Sequence, residues 1–259
     1  MTEFCEQVNP RVLLEMRRKR PFPDMLRVQE SWMAAPEKRA LLWLASRMPD
    51  QIGPDHLTVL GLVAQIGAGV CYALAGWNRY ALLGVIACLA LNWFGDSLDG
   101  TLARVRQRLR PRYGFYVDHV VDAVGAGCLF GGLGMSGYMS PVVALGLLAA
   151  YLLLLVETFL ATYTLGTFTM SYFKVGPTEL RILLAIGTIV LLVHPMADVF
   201  GRTYRLFDVS GVIAVGGMAV TLAVAIARHA RALYLAEPLP DASADGGRWL
   251  VAGETLPQV

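Results

Sequence analysis

Asp96 and Asp99 stand three residues apart, and Asp118 and Asp122 stand four apart. On helices, each pair therefore projects from one face. The two apolar segments that carry these pairs are joined by a short basic loop, so they are expected to be antiparallel neighbours with the pairs close together. Four carboxylates in such a place repel one another and are costly to desolvate unless cations compensate. A single aspartate here is ordinarily a helix-end group satisfied by water or by a loop arginine. Two pairs meeting across a hairpin are hard to explain without a metal. All-carboxylate ligation suits Mg²⁺, Mn²⁺ or Ca²⁺ rather than zinc or copper. Two such ions side by side clamp phosphate or diphosphate oxygens during displacement at phosphorus. Gly100 lets a ligand approach the backbone, and Ala103 continues the small surface. Arg104, one turn further on, can take a phosphate oxygen bidentately. A carboxylate left over from metal binding can accept the proton of an attacking hydroxyl. These residues point to phosphoryl transfer at a membrane surface.

The elements that must position them are apolar. Of 259 residues, 56% are hydrophobic and 16% charged, against about 25% charged in soluble domains. With a mean hydropathy of +0.52, the chain is expected to be all-α, a polytopic membrane bundle. Six segments of roughly 20 residues qualify as transmembrane helices, near 57–76, 80–99, 115–134, 141–163, 180–196 and 208–227. Glycines such as Gly61, Gly67, Gly69, Gly125 and Gly132 permit close helix packing. Cys5, Cys71, Cys88 and Cys128 are far apart and read as small buried residues, without spacing for zinc or a disulfide framework. The start of the chain lacks the apolar run of a signal peptide.

Residues 1–50 are expected to form a cytoplasmic or interfacial segment. Between Val28 and Met48, apolar Trp32, Leu41, Leu42, Trp43 and Leu44 mingle with Glu30, Glu37, Lys38, Arg39 and Arg47. An amphipathic helix lying in the interface is the preferred reading, and a cap packed on the bundle is the alternative. Residues 51–230 form the six-helix catalytic domain, and 231–259 a cytoplasmic tail, largely irregular, with Trp249 to Val251 docking back as an option. Arg104, Arg106, Arg108, Arg110 and Arg112 crowd one loop, and Arg228 and Arg231 follow the last span. With an even number of spans these residues and the basic N-terminus share one side, which puts both termini and the acidic cluster in the cytoplasm. Arg202 and Arg205 lie on the opposite side. The expected location is an integral one, in the bacterial inner (plasma) membrane.

Taken together, Asp96, Asp99, Gly100, Ala103, Arg104, nine intervening residues, Gly114, Asp118 and Asp122 resemble the signature of the CDP-alcohol phosphotransferase family, with every fixed position filled. The resemblance covers roughly residues 50–228. It implies a six-helix membrane enzyme, often dimeric, that moves a substituted phosphate from a CDP-alcohol to a hydroxyl acceptor and releases CMP. By the same resemblance, Asp96, Asp99 and Asp118 carry most of the ligation of Mg²⁺ or Mn²⁺, expected as two ions. Asp122 shares a metal and serves as general base. Gly100, Ala103 and Arg104 line the site for the CDP moiety, and Gly114 starts the third span beside it. The stretch Pro54 to Gly61 is similar to the family's Pro-Asn-x-Leu-Thr segment, with Asp55 where Asn is usual. Thr58 and Gly61 are therefore candidates for nucleotide contact, Thr58 alternatively for capping or packing.

Two branches of the family fit. His119, directly after the third aspartate, and Gly176 Pro177 Thr178 Glu179 resemble the branch that joins CDP-choline or CDP-ethanolamine to a lipid alcohol, which is slightly preferred here. The alternative is a phosphatidyltransferase that uses CDP-diacylglycerol and a small polar alcohol such as serine, inositol phosphate or glycerol phosphate. His119 can equally be a ring hydrogen-bonded behind the metal ligands. Glu157 is the other intramembrane acid, facing the pocket or paired with a tyrosine or arginine. Lys174, Glu179 and Arg181 lie at the cytoplasmic mouth as candidates for a charged head group. Trp77, Tyr80, Tyr138, Trp93 and Tyr151 read as interface or core aromatics. A cation-coupled transporter is a remote rival, since no internal repeat is present. A non-enzymatic membrane scaffold is another. Nucleic acid is not an expected partner, because arginines beside a membrane are explained by topology and anionic lipid.

Overall fold

The computed structural model describes residues 26–28, 34–165, 167–169 and 177–237. The basic N-terminal stretch, Trp32, Lys174, Gly176 and the tail beyond Glu237 lie outside the described residues. Among the described residues seven helices follow one another: α1 (Ala34–Ala45), α2 (Pro54–Ala75), α3 (Ala81–Val105), α4 (Pro111–Met135), α5 (Pro141–Leu165), α6 (Pro177–Val193) and α7 (Leu206–Ala236). Two short ladders accompany them. β1 (Leu26–Val28) runs parallel to β2 (Thr167–Thr169), with Leu26 opposite Thr167. β3 (Met196–Val199) and β4 (Arg202–Arg205) form an antiparallel hairpin with Met196 opposite Arg205. Its two-residue turn holds Phe200 at φ 51° and Gly201 at φ 76°, the left-handed pair such a turn requires.

The protein is a helical membrane bundle, but the expected six spans are corrected in number. Among the described residues, four helices, α2, α3, α5 and α7, are long and apolar enough to cross a bilayer. Helix α6 has 17 residues, which is about 25 Å of helix at 1.5 Å per residue, short of a hydrocarbon core of about 30 Å. Helix α4 is long, but it carries Arg112, Asp118 and Asp122. Other boundaries also move. Proline stands at the first position of α2, α4, α5 and α6, where its missing N–H costs nothing. As a result α4 begins at Pro111 and Gly114 lies within its first turn. Helix α7 continues to Ala236, beyond residue 230.

Helix α2 packs against both α3 and α4, α5 bridges α4 and α7, and α6 packs on α3. The main core gathers Ala68, Tyr72, Leu82, Val85, Leu129, Leu133 and Phe207. Within it, the Tyr72 hydroxyl meets Thr188 Oγ1 at 2.6 Å, pinning α2 to α6. The α2–α3 crossing is set by glycine: a Cβ on Gly95 would stand 2.5 Å from the Leu57 carbonyl oxygen. At the α2–α4 crossing, a Cβ on Gly132 would stand 1.9 Å from the Gly69 carbonyl oxygen. These two contacts draw the acid-bearing helices onto a common partner, α2.

A second, smaller core joins Leu41 and Ala45 of α1 to Leu57, Leu98 and Leu102. Helix α1 is thus docked on the bundle by one face, while Leu42 and Trp43 remain exposed. Arg106, just past the end of α3, fixes the loop that follows α1. Its guanidinium donates to the carbonyls of Ile52 at 2.6 Å and of Met48 and Pro49, each at 2.9 Å. One of the loop arginines expected to report only topology is a structural strut.

Candidate active site

Helix α3 presents Asn92, Asp96 and Asp99 along one side. Four-residue spacing places Asn92 directly beneath Asp96. Helix α6 supplies the cation. Arg181 donates through Nη2 to Asp96 Oδ2, and through Nε to Asn92 Oδ1 at 2.7 Å. Asn92 in turn donates through Nδ2 to the Gly61 carbonyl at 2.9 Å, so the guanidinium is braced against α2. Arg181, expected at the mouth with a charged head group, is instead part of the carboxylate cluster.

Asp99 is held differently. Its Oδ2 accepts from Thr58 Oγ1 at 2.6 Å, and its Oδ1 accepts from the Gly100 N–H. Thr58 therefore orients an aspartate from the first turns of α2. Gly61 serves the helix crossing: a Cβ there would stand 3.3 Å from the Asp96 N atom. Gly100 has room for a side chain, with Arg104 Nη2 3.7 Å from where its Cβ would be. Packing does not demand glycine at this point, and an open backbone beside a guanidinium suits a phosphate. Arg104 is exposed, Ala103 half-buried, and Gly114 has nothing within 4 Å of its missing Cβ.

Asp118 and Asp122 come from α4. The charges of Asp96, Asp118, Asp99 and Arg181 all act on Asp122, so the two pairs converge across the α3–α4 hairpin. Tyr151 of α5 lies within the field of Asp122, Asp96, Arg181 and Asp118. Expected as a core aromatic, it borders the site.

Among the described residues no three carboxylates, imidazoles or thiols are gathered so as to hold an ion between them. Arg181 engages Asp96, while Thr58 and the Gly100 amide engage Asp99. The donor set still fits a hard divalent cation in type, being carboxylate oxygens from two adjoining helices.

Three further candidates are placed by their neighbours. The His119 ring meets the Phe115 carbonyl through Nδ1 at 2.6 Å and lies 4.1 Å from the Phe115 ring and 4.7 Å from that of Phe159. These contacts accord with the alternative of a hydrogen-bonded ring beside the aspartates. Glu157 is turned toward α7, where Oε1 meets His229 Nδ1 at 2.5 Å. This histidine is a partner the sequence reading did not consider. Glu37 of α1 accepts on a single oxygen from Trp93 Nε1 at 2.9 Å, Ser97 Oγ at 3.3 Å and Thr178 Oγ1 at 2.7 Å.

Sequence reasoning gave no role to Asn92, Glu37, Arg106, Tyr151 or His229. Asn92 had a detectable signal, a lone amide in an apolar run one turn before Asp96. The others depend on contacts between distant segments.

The sequence model of the CDP-alcohol phosphatidyltransferase family matches residues 51–229. The chain belongs to that family. The matched region contains the four aspartates, Thr58 and Arg181, and leaves out α1, so Glu37 lies outside the part shared with the CDP-alcohol phosphatidyltransferases. The chain is also 32% identical over 103 residues to the archaetidylinositol phosphate synthase of Methanothermobacter thermautotrophicus. That stretch is 38% of this chain and spans about half, 49%, of that relative.

Proposed function

We propose that this protein is a membrane-embedded transferase that moves a substituted phosphate from a CDP-alcohol to a hydroxyl acceptor, with release of CMP. The observation that carries the reading is the convergence of Asp96, Asp99, Asp118 and Asp122 around one braced guanidinium. Asp122 accepts the proton of the acceptor hydroxyl as that oxygen bonds to the β-phosphorus and the bond to the CMP oxygen breaks. Arg104, Gly100 and Ala103 hold the CDP moiety. Asp96, Asp99, Asp118 and Asp122 would hold Mg²⁺ or Mn²⁺, which when bound supplies positive charge against the diphosphate. Arg181 offsets part of the negative charge and keeps Asp96 in register with Asn92.

For the donor, the reading moves to the phosphatidyltransferase branch. The likeness to archaetidylinositol phosphate synthase supports a CDP-linked diradyl lipid as donor and a small phosphorylated polyol as acceptor. The aminoalcohol preference rested mainly on His119, which is packed between Phe115 and Phe159. In the membrane we place α4 and α6 as crossings alongside the four longer helices, with the arginine-rich α3–α4 loop and both termini in the cytoplasm. Neighbouring helices rather than lipid then shelter their polar residues.

The test is product identification by mass spectrometry. Purified protein in detergent with Mg²⁺ or Mn²⁺ is given CDP-diacylglycerol, its archaetidyl counterpart, CDP-choline or CDP-ethanolamine, with inositol phosphate, glycerol phosphate, serine or a diacylglycerol. A phosphorylated inositol lipid from a CDP-linked lipid is expected. Turnover confined to the CDP-aminoalcohols would overturn the donor assignment.

A further inference from the structure

We propose that Glu37 is a positioning residue that ties α3 to α6 behind the Asp96–Arg181 pair, so that the seating of α1 sets the alignment of the site. The inference rests on the reading of that pair as part of the transferase centre. One carboxylate oxygen of Glu37 takes three donors from two other helices. Trp93 and Ser97 are one turn apart on α3, and Ser97 adjoins Asp96. Thr178 lies one turn before Arg181 at the start of α6. The donors therefore flank both halves of the ion pair.

Docking of α1 does not need this carboxylate. Leu41 and Ala45 already bury against Leu57, Leu98 and Leu102, and Arg106 fastens the loop behind them. Glu37 supplies an acceptor shared between α3 and α6. Helix α6 is the short one, so a polar clamp at its first turn controls where Arg181 arrives. Without it, three half-buried donors lose their partner and the two helices can shift against each other. A misplacement of about 1 Å at a reacting centre costs on the order of a hundredfold in rate.

The experiment compares wild type with Glu37→Ala, Glu37→Gln, Thr178→Val, Arg181→Ala and the Glu37→Ala/Arg181→Ala double variant. CMP release gives kcat and KM. The contribution of Trp93 to fluorescence, taken by difference from Trp93→Phe, reports the clamp without turnover. Glu37→Ala is expected to lower kcat at least about tenfold, with Glu37→Gln restoring most of it because the amide keeps an acceptor oxygen. The double variant should be no slower than Arg181→Ala alone, since both changes act through one pair. Trp93 emission should move to longer wavelength in Glu37→Ala and return in Glu37→Gln. A wild-type rate in Glu37→Ala, or losses that multiply in the double variant, would overturn the proposal. If Glu37→Ala does not fold, Thr178→Val carries the same test from α6, and a wild-type kcat there overturns it. A wild type that releases no CMP from any donor would count against the transferase reading, while the Trp93 emission still decides whether the clamp exists.

Discussion

Each aspartate of the cluster has a different neighbour, and its reactivity follows from that neighbour. Asp96 is charge-paired with Arg181, Asp99 is held by a hydroxyl and an amide, and Asp122 lies in the combined field of the other three and the guanidinium. His119 stacks near two phenyl rings and meets a backbone carbonyl through Nδ1. His119→Phe is therefore expected to retain CMP release within about threefold, at a stability cost near the ~1 kcal/mol of one hydrogen bond. A loss of a hundredfold, measured as kcat on a folded variant, would restore the histidine to the chemistry. At this scale the sequence was highly legible where spacing along one helix carries the information, as for the two aspartate pairs and for Gly100 beside Arg104. It was silent about Arg181 reaching Asp96, since 85 positions separate them and only the packing of α6 on α3 joins them.

At the scale of elements, α2 is the post on which the acid-bearing helices are hung. Leu57, Gly61 and Gly69 offer backbone to Gly95 and Gly132, and no Cβ fits at either contact. Gly95→Val is expected to destabilise the protein by about 1–3 kcal/mol, the usual range for overpacking, and to reduce activity because α3 must move away from Thr58. Thermal unfolding in detergent and CMP release check the two effects. Unchanged unfolding would mean that the crossing is looser than described. Hydropathy made the long helices legible, and proline marked several of their starts. Helices α4 and α6 are the two expected spans outside the four that are long and apolar enough to cross, α4 carrying Asp118 and Asp122 and α6 being short. Both departures coincide with the site. Among the glycines, Gly100 stood out by its place between Asp99 and Arg104, whereas Gly95, which touches backbone, carried no signal of its own.

Across the whole molecule, the acids, the arginine-rich loop and the docked α1 gather at one end of the bundle. The far end is closed by Asp208, which accepts from the Ser140 N–H at 2.6 Å, and by the β3–β4 hairpin. That polarity was legible in the arginine distribution. The role of α1 was less so, since its amphipathic pattern suits an interfacial helix and a docked one equally, and only the contacts of Leu41, Ala45 and Glu37 decide how it is held. The most direct measurement is CMP release from a CDP-linked lipid with Mg²⁺ or Mn²⁺, comparing wild type with Asp122→Asn and with wild type in excess EDTA. The account predicts turnover that falls by about 10²–10⁴ in the variant, the usual contribution of a general base, and that is lost with chelator and restored by added metal. Equal CMP release by wild type and Asp122→Asn, both folded, would contradict it.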